Sequence, residues 1–378
     1  MLGRLSPRSR RNLLRVLPFG LIWFVFSQIF LFSDLLAIRH VKVLPEEAIQ
    51  PDVAIYLVAS FAVTTVGLLI GVVELLFLSD RFADKSLKRK LVSKACIHAA
   101  ILGTAILVTY PVAASMEIGT SVFDVRVWER FAVFLSSATL LSNVVQLLTM
   151  LVVSLIYAEI SEHIGHGILV NFFTGRYHRP KEETRIFMFS DMKSSTQIAE
   201  DLGHLRYFEL LRAYYRDLSA GIVDYAGEIY QYVGDEVVVS WPVDRGIENL
   251  NCIRSFLAMK QDLHKRAAWY EATFGVVPDF KAAFHVGAVT TGEIGALKRE
   301  IVFTGDVLNA TARIQGLCNT HGVDLLISDE LMSLLEFGPD AGIRSLGTQK
   351  LRGREREIEL FTLAWESLVF GQSPSPVR

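Results

Sequence analysis

The chain of 378 residues carries a formal net charge of −2, and 51% of its residues are hydrophobic. Near-neutral charge, with no concentrated basic surface in the C-terminal half, argues against nucleic acid as a partner. The three cysteines, Cys96, Cys252 and Cys318, lie far apart without ligand spacing, so neither a disulfide framework nor a zinc site is indicated, which fits a reducing compartment for the soluble part.

Four apolar segments fill the first half, near Val16 to Ile38, Val53 to Leu78, Lys94 to Ser115 and Phe131 to Tyr157. Each approaches or exceeds the roughly 20 residues that cross about 30 Å of hydrocarbon as a helix. The first is too long and too aromatic for a signal-peptide core, and no small-residue cleavage site follows it, so it is expected to stay in the mature protein. Arg4, Arg8, Arg10, Arg11 and Arg15 precede the first span, and Arg81, Lys85, Lys88, Arg89 and Lys90 separate the second from the third. The other loops carry far fewer, Arg39 and Lys42 in one and Arg126 with Arg130 in the other. This bias predicts a multi-pass protein of the cell (inner) membrane with both termini in the cytoplasm.

Two carboxylates fall inside the spans. Asp34 lies near the outer end of the first and Glu74 in the inner part of the second; a charge this costly in lipid marks helix pairing or a ligand pocket, or else both reach the interface or pair with Asn143 or Gln146 of the fourth. His98 has no histidine partner at comparable depth on another span, which argues against a haem anchor. The resulting organisation is a basic N-terminus (1–15), a four-span anchor (16–158), a linker (159–184), a soluble domain (185–365) and a disordered tail (366–378). In the linker, His163 and His166 are three apart and are taken as solvated residues, and Pro180 marks the boundary before the first strand.

From Arg185 onward the apolar period alternates between strand and helix. Arg185 to Phe189 reads as a buried strand, Thr196 to Tyr225 as a helix, and Glu228 to Val233 with Val237 to Trp241 as a hairpin around a Gly-Asp turn. A second long helix fits Arg245 to Phe274. Strands follow at Phe280 to Val286 and Glu300 to Phe303, then a helix at Val307 to Leu317 and a strand at Val323 to Ser328. This mixed order predicts an α+β sheet covered by helices.

Three short motifs carry the chemistry. In Phe189-Ser190-Asp191-Met192-Lys193-Ser194-Ser195-Thr196 a strand ends on a carboxylate and a small-residue turn opens a helix, whose first N–H groups, from Lys193 through Ser194, Ser195 and Thr196, can cradle a polyphosphate. In Gln231-Tyr232-Val233-Gly234-Asp235-Glu236 a second carboxylate sits in a hairpin turn. Hard oxygen ligands from these two places suit Mg²⁺ or Mn²⁺ together with substrate phosphate. In Gly305-Asp306-Val307-Leu308-Asn309-Ala310-Thr311-Ala312-Arg313, Asn309 and Arg313 are four apart and share one helical face, able to present an amide and a guanidinium to one phosphate.

The three motifs, in this order and at these separations, resemble those of the class III adenylate/guanylate cyclase family over roughly Arg185 to Leu363, and four preceding spans look like its membrane-anchored bacterial members. The resemblance implies a ferredoxin-like α/β sandwich that converts ATP to 3′,5′-cyclic AMP and pyrophosphate for intracellular signalling. It implies two metal ions per site, Mg²⁺ or Mn²⁺, held by Asp191, Asp235 and the Met192 carbonyl. It further implies that Asn309 orients the ribose and Arg313 stabilises charge on the α-phosphate, both supplied by the partner of a head-to-tail homodimer. Leu351-Arg352-Gly353 resembles the late motif that grips the terminal phosphates, with Arg354 and Arg356 close to Arg352.

One departure leaves the base open. The residues matching the family's adenine-specifying pair are Gln231, which can donate and accept, and Val302, which can do neither, with Thr304 as a substitute. ATP is expected, with GTP as the alternative. A diguanylate cyclase is disfavoured by the missing second glycine before Asp235 and by the presence of Asn309 and Arg313. A non-catalytic membrane receptor whose cyclase-like domain only dimerises is the reading from a different class. The anchor, embedded in membrane lipid, is either a dimerising tether or a sensor of an unidentified ligand or partner.

Overall fold

The computed structural model describes residues 6–38, 49, 52–78, 87–164, 175, 179–295, 300–338, 342–352 and 356–364. It divides into two compact units, residues 9–170 and residues 171–378 together with 1–8. Most of the linker, including His166, lies outside the described residues, as do the tail after Ala364 and the loop residues Arg39, Lys42, Arg81 and Lys85.

The first unit is helical: α1 (Pro7–Ile38), α2 (Val53–Val72) running into a π-helical segment (Val73–Leu78), α3 (Leu87–Ile118), α4 (Val125–Leu135) and α5 (Ala138–Ile164). Among the described residues four stretches are long and apolar enough to cross a membrane: Pro7–Asp34, Val53–Leu78, Val92–Ile118 and Ala138–Glu162. The last corrects the expected Phe131 to Tyr157. The helix ending at Leu135 stops at Ser136, and Ser137 caps a new one, its hydroxyl accepting from the Leu140 N–H at 3.2 Å. Phe131 and Phe134 instead pack with Tyr110 in a separate cluster.

The other spans pack through small residues, as helices in lipid do. Buried Trp23 lies so close to α2 that a Cβ added at Gly67 would stand 2.4 Å from its ring, and its indole N–H donates to Ser154 at 2.9 Å. Glu74 pairs with another span, the third and not the fourth. It is buried against α3, where Lys94 donates to one carboxylate oxygen and His98 Nε2 stands 3.5 Å from the other. An apolar interior leaves such a carboxylate few alternatives to a charged partner. Asp34 does face the fourth span, with Gln146 Nε2 3.4 and 3.5 Å from its two oxygens.

The second unit is built on an eight-stranded sheet. Its strands are β1 (Lys181–Met192), β2 (Glu228–Val233), β3 (Glu236–Pro242), β4 (Phe280–Ile294), β5 (Glu300–Thr304), β6 (Leu325–Ser328), β7 (Ile343–Gln349) and β8 (Ile358–Leu363). They run in the order β2-β3-β1-β4-β6-β8-β7, with β5 paired to the far end of β4. Alternation along the strands assigns the two faces. Ile186, Met188, Val237, Val239, Trp241, Ala282 and Phe284 meet the helices α6 (Ser195–Asp224) and α8 (Asn251–Lys265). On the opposite face Phe187, Phe189, Val238 and Val289 meet Val307, while Ala283 and Leu326 meet Ala310 and Ile314 of helix α10 (Asp306–Gly316). A Cβ at Gly287 would stand 2.9 Å from that of Val307, so glycine lets α10 lie down on β4.

Two expected helices are interrupted. The first breaks at Gly203, whose φ of 72° and ψ of 163° are not helical. The segment Arg245 to Phe274 forms α7 (Val243–Ile247), a 3₁₀ turn (Glu248–Leu250), α8 and α9 (Ala267–Phe274), because Asn249 and Leu250 take φ of 50° and 58°. β7 and β8 have no counterpart among the predicted elements.

Candidate active site

The site grows from the end of β1. Ser190 pairs with Val237 and Asp191 with Lys281, and one further step of the same register brings Glu236 alongside Asp191. Glu236, Asp191 and Lys281 thus form a row across three strands, on the face that α10 also occupies. Lys281 Nζ lies 3.5 Å from Asp191 Oδ2 and donates to Asn319 at 3.1 Å. The second motif enters through the hairpin turn, where Gly234 takes the positive φ of 63° that its first central position requires. The Tyr215 hydroxyl, from α6, donates to the Gly234 carbonyl and fixes that turn.

Like charges crowd here. Burial, and after it the Asp235 carboxylate, raise the Asp191 carboxyl above its ordinary range, with Lys281 opposing. Glu236 is pushed up to about 7 by burial and by the charges of Asp191 and Asp235. Asp235 Oδ2 is buried and meets no hydrogen-bond donor among the described residues. Converging carboxylates with an orphaned oxygen fit a divalent cation, which satisfies that oxygen and reverses the mutual repulsion. Among the described residues no group of three or more His, Cys, Asp or Glu side chains is arranged to hold a metal. Mg²⁺ needs no such cage, since one or two carboxylates plus substrate phosphates suffice.

Asp235 also lines an open cleft of about 510 Å³ with Ser195, Thr196, Glu200, His204 and Tyr207 from the first turns of α6. The structure therefore brings Asp191, Met192, Asp235 and the turn that opens α6 to one end of the sheet. Ser194 precedes α6 with φ of 55°, and the Tyr207 side chain is hydrogen-bonded to Ser195.

The remaining predicted residues stand elsewhere on the unit. Asn309 and Arg313 share the exposed face of α10, opposite Val307, Ala310 and Ile314. Gln231 and Thr304 are exposed on β2 and β5, which meet where the Phe303 N–H donates to the Tyr230 hydroxyl at 3.3 Å, their rings 4.8 Å apart. Gln231 and Thr304 thus flank one contact. Arg352 is exposed beyond β7, next to buried Leu351, and Arg354 lies outside the described residues. Sequence reasoning missed Glu236 and Lys281 as members of the cluster. The alternation of β3 could have aimed Glu236 at Asp191, whereas Lys281 needed the strand register.

Compared with protein-family models, the chain matches none. It is 35% identical over 210 residues to adenylate cyclase 2 of Rhizobium meliloti, covering 56% of this chain and 58% of that one. To adenylate cyclase 1 of the same organism it is 27% identical over 209 residues, covering 53% of this chain and 30% of that one. The match therefore spans 58% of the length of the first of these relatives and 30% of the second. Among solved structures, a bacterial light-regulated adenylyl cyclase superposes with a TM-score of 0.51 at 20% identity, over 61% of this chain and 66% of that one, which establishes a shared fold. By sequence this chain is similar to bacterial adenylate cyclases over about half its length, and by fold it is similar to a solved adenylyl cyclase.

Proposed function

We propose that the chain is a membrane-anchored adenylate cyclase that converts ATP to 3′,5′-cyclic AMP and pyrophosphate at sites shared between two copies. The observation that carries this reading is the meeting of Asp191 and Asp235 beside the α6 turn, with an orphaned oxygen on Asp235. Its likeness to adenylate cyclase 2 of Rhizobium meliloti supports the choice of reaction and of ATP.

In the proposed reaction the ribose 3′-oxygen bonds to the α-phosphorus, its proton departs, and the bond to the β-phosphate oxygen breaks to release pyrophosphate. Asp191, Asp235 and the Met192 carbonyl would hold two Mg²⁺ or Mn²⁺ ions, which supply Lewis acidity at the 3′-hydroxyl and neutralise the leaving phosphates. The N–H groups of Ser194, Ser195 and Thr196 donate to phosphate oxygens, as helix N-termini do. Arg352, beyond the edge strand β7, would reach the terminal phosphates only at the site of a partner copy. Gln231 reads the base edge beside Thr304, with either purine allowed by its amide.

Asn309 and Arg313 act in trans. Their face of α10 is exposed within one copy, and a head-to-tail pair would bring it over the partner's carboxylates to orient the ribose and stabilise charge on the α-phosphate. Exposed Tyr232, Val233, Leu205 and Phe208 on the same unit suit burial in such a contact. The spans fix the chain in the inner membrane with the catalytic half and both termini in the cytoplasm, where nucleoside triphosphates are found. The anchor is either a dimerising tether or a sensor of an unidentified ligand.

Purified full-length protein supplied with Mn²⁺ and either ATP or GTP tests the reading. Cyclic AMP from ATP is expected. Faster turnover of GTP contradicts the adenylate assignment, and no cyclic nucleotide from either leaves the non-catalytic receptor. Exchanging residues 1–158 for an unrelated dimerising segment separates tether from sensor, since a tether predicts retained activity with no stimulus response lost.

A further inference from the structure

We propose that Lys193 is a positioning residue whose side chain fixes the turn between β1 and α6, so that the Met192 carbonyl and the first α6 amides face the cleft. The inference rests on the cyclase reading for what the turn binds, but its geometry stands by itself. A lysine two residues after Asp191 invites assignment to substrate phosphate. The structure turns it away instead.

Lys193 Nζ stands 2.7 Å from Asp279 Oδ2 and 2.6 Å from Asp324 Oδ1, and it is absent from the residues that line the cleft. Its backbone N–H also donates to the Asp279 carbonyl at 2.8 Å. Burial works against its charge, and the two carboxylates outweigh that, raising the ammonium above its ordinary range. Asp279 immediately precedes β4 and Asp324 immediately precedes β6. The turn is therefore tied at two points to the strand ends beside it.

A second lysine completes the arrangement from below. Lys260 of α8 is 2% exposed at its side chain; it donates to Asp279, to the Phe280 carbonyl and, at 2.9 Å, to Asp324 Oδ2. Two ammonium groups thus alternate with two carboxylates, with no net charge, and the duties divide. Lys260 holds β4, β6 and α8 together inside the core. Lys193, 38% exposed, adds the turn to that frame.

The turn needs such a hold. Ser194 sits in the left-handed region at φ 55° and ψ 28° with no side-chain cap bond, a conformation that a non-glycine residue keeps only when its surroundings over-determine it. Met192 before it is buried, so anchoring Lys193 fixes the chain on both sides of the Met192 carbonyl. Groups that orient metal ligands from behind typically change metal affinity or activity by about 10- to 100-fold when removed.

The test uses the full chain in detergent or nanodiscs, with Lys193→Met, Lys193→Gln as a milder second variant, and Lys265→Met as a control that removes the surface pair Lys265–Asp262 at 2.9 Å. Mn²⁺ alone is titrated by electron paramagnetic resonance, and hydrogen exchange is followed in the peptide over residues 189–198. Lys193→Met is expected to weaken Mn²⁺ binding by about tenfold or more and to speed exchange in the turn, while residues 251–265 stay protected and Lys265→Met changes neither. In turnover, the nucleotide KM and the half-saturating Mn²⁺ concentration rise more than kcat falls. Unchanged Mn²⁺ affinity overturns the proposal even if exchange quickens, because the turn would then be held for some other purpose. A wild type that binds no Mn²⁺ defeats the metal reading, and unchanged exchange in Lys193→Met separately defeats the tether.

Discussion

Asp191 shows how one side chain acquires meaning from its register. In the sequence it is a strand-end carboxylate; in the fold it stands between Glu236 and Lys281 and opposite Asp235. The crowding has a measurable sign. Glu236 is raised from an ordinary 4.5 to about 7. A carboxyl whose folded-state pKa lies above its unfolded value binds a proton more tightly when folded, so its contribution to stability is full below about 4.5 and lost as pH rises through about 7. In chelator, thermal unfolding of the sheet unit is therefore expected to shift downward between about pH 5 and 7.5. Added Mn²⁺ should flatten that slope, since a cation favours the ionised carboxylates. A flat profile in chelator would mean that the three carboxylates do not face one another. The aspartates were legible because motif spacing is local. Lys281, Asp279 and Asp324 were not, because strand pairing and loop closure bring them in from far along the chain.

At the scale of elements, α10 is the piece that carries Asn309 and Arg313, and its seat depends on glycine. Gly305, just before its first turn, has extended backbone, and a Cβ there would stand 2.7 Å from the Ala288 carbonyl oxygen. Gly305→Ala must shift either β4 or the start of α10, at a cost of about 1–3 kcal/mol. The expected result is a modest loss in thermal stability with a larger loss in kcat, read by calorimetry beside turnover; equal kcat would show that the position of α10 does not matter to the reaction. Helices and buried strands were mostly visible in the apolar period. Their interruptions were not, because Ser136, Asn249 and Leu250 break the backbone without breaking the period. β7 escaped for another reason: it is largely exposed, so its side chains carry no alternation of burial to read.

The whole molecule joins the membrane-length helices of its first unit to a sheet domain whose proposed reaction needs residues from two copies. Composition and charge made the first half readable, since an uninterrupted apolar stretch has few other uses, while the buried Glu74–Lys94–His98 cluster appeared only once α2 and α3 were packed. The composite site is the central claim, and mixing two dead chains tests it. Asp191→Asn and Arg313→Ala are each expected to lower kcat by about a hundredfold or more alone. In a head-to-tail dimer of the two variants, one site collects both defects and the other collects none. Co-expressed in equal amounts, they should recover about a quarter of wild-type cyclic AMP formation, from random pairing about a twofold axis. A mixture no more active than either variant by itself would contradict a site completed by the second copy.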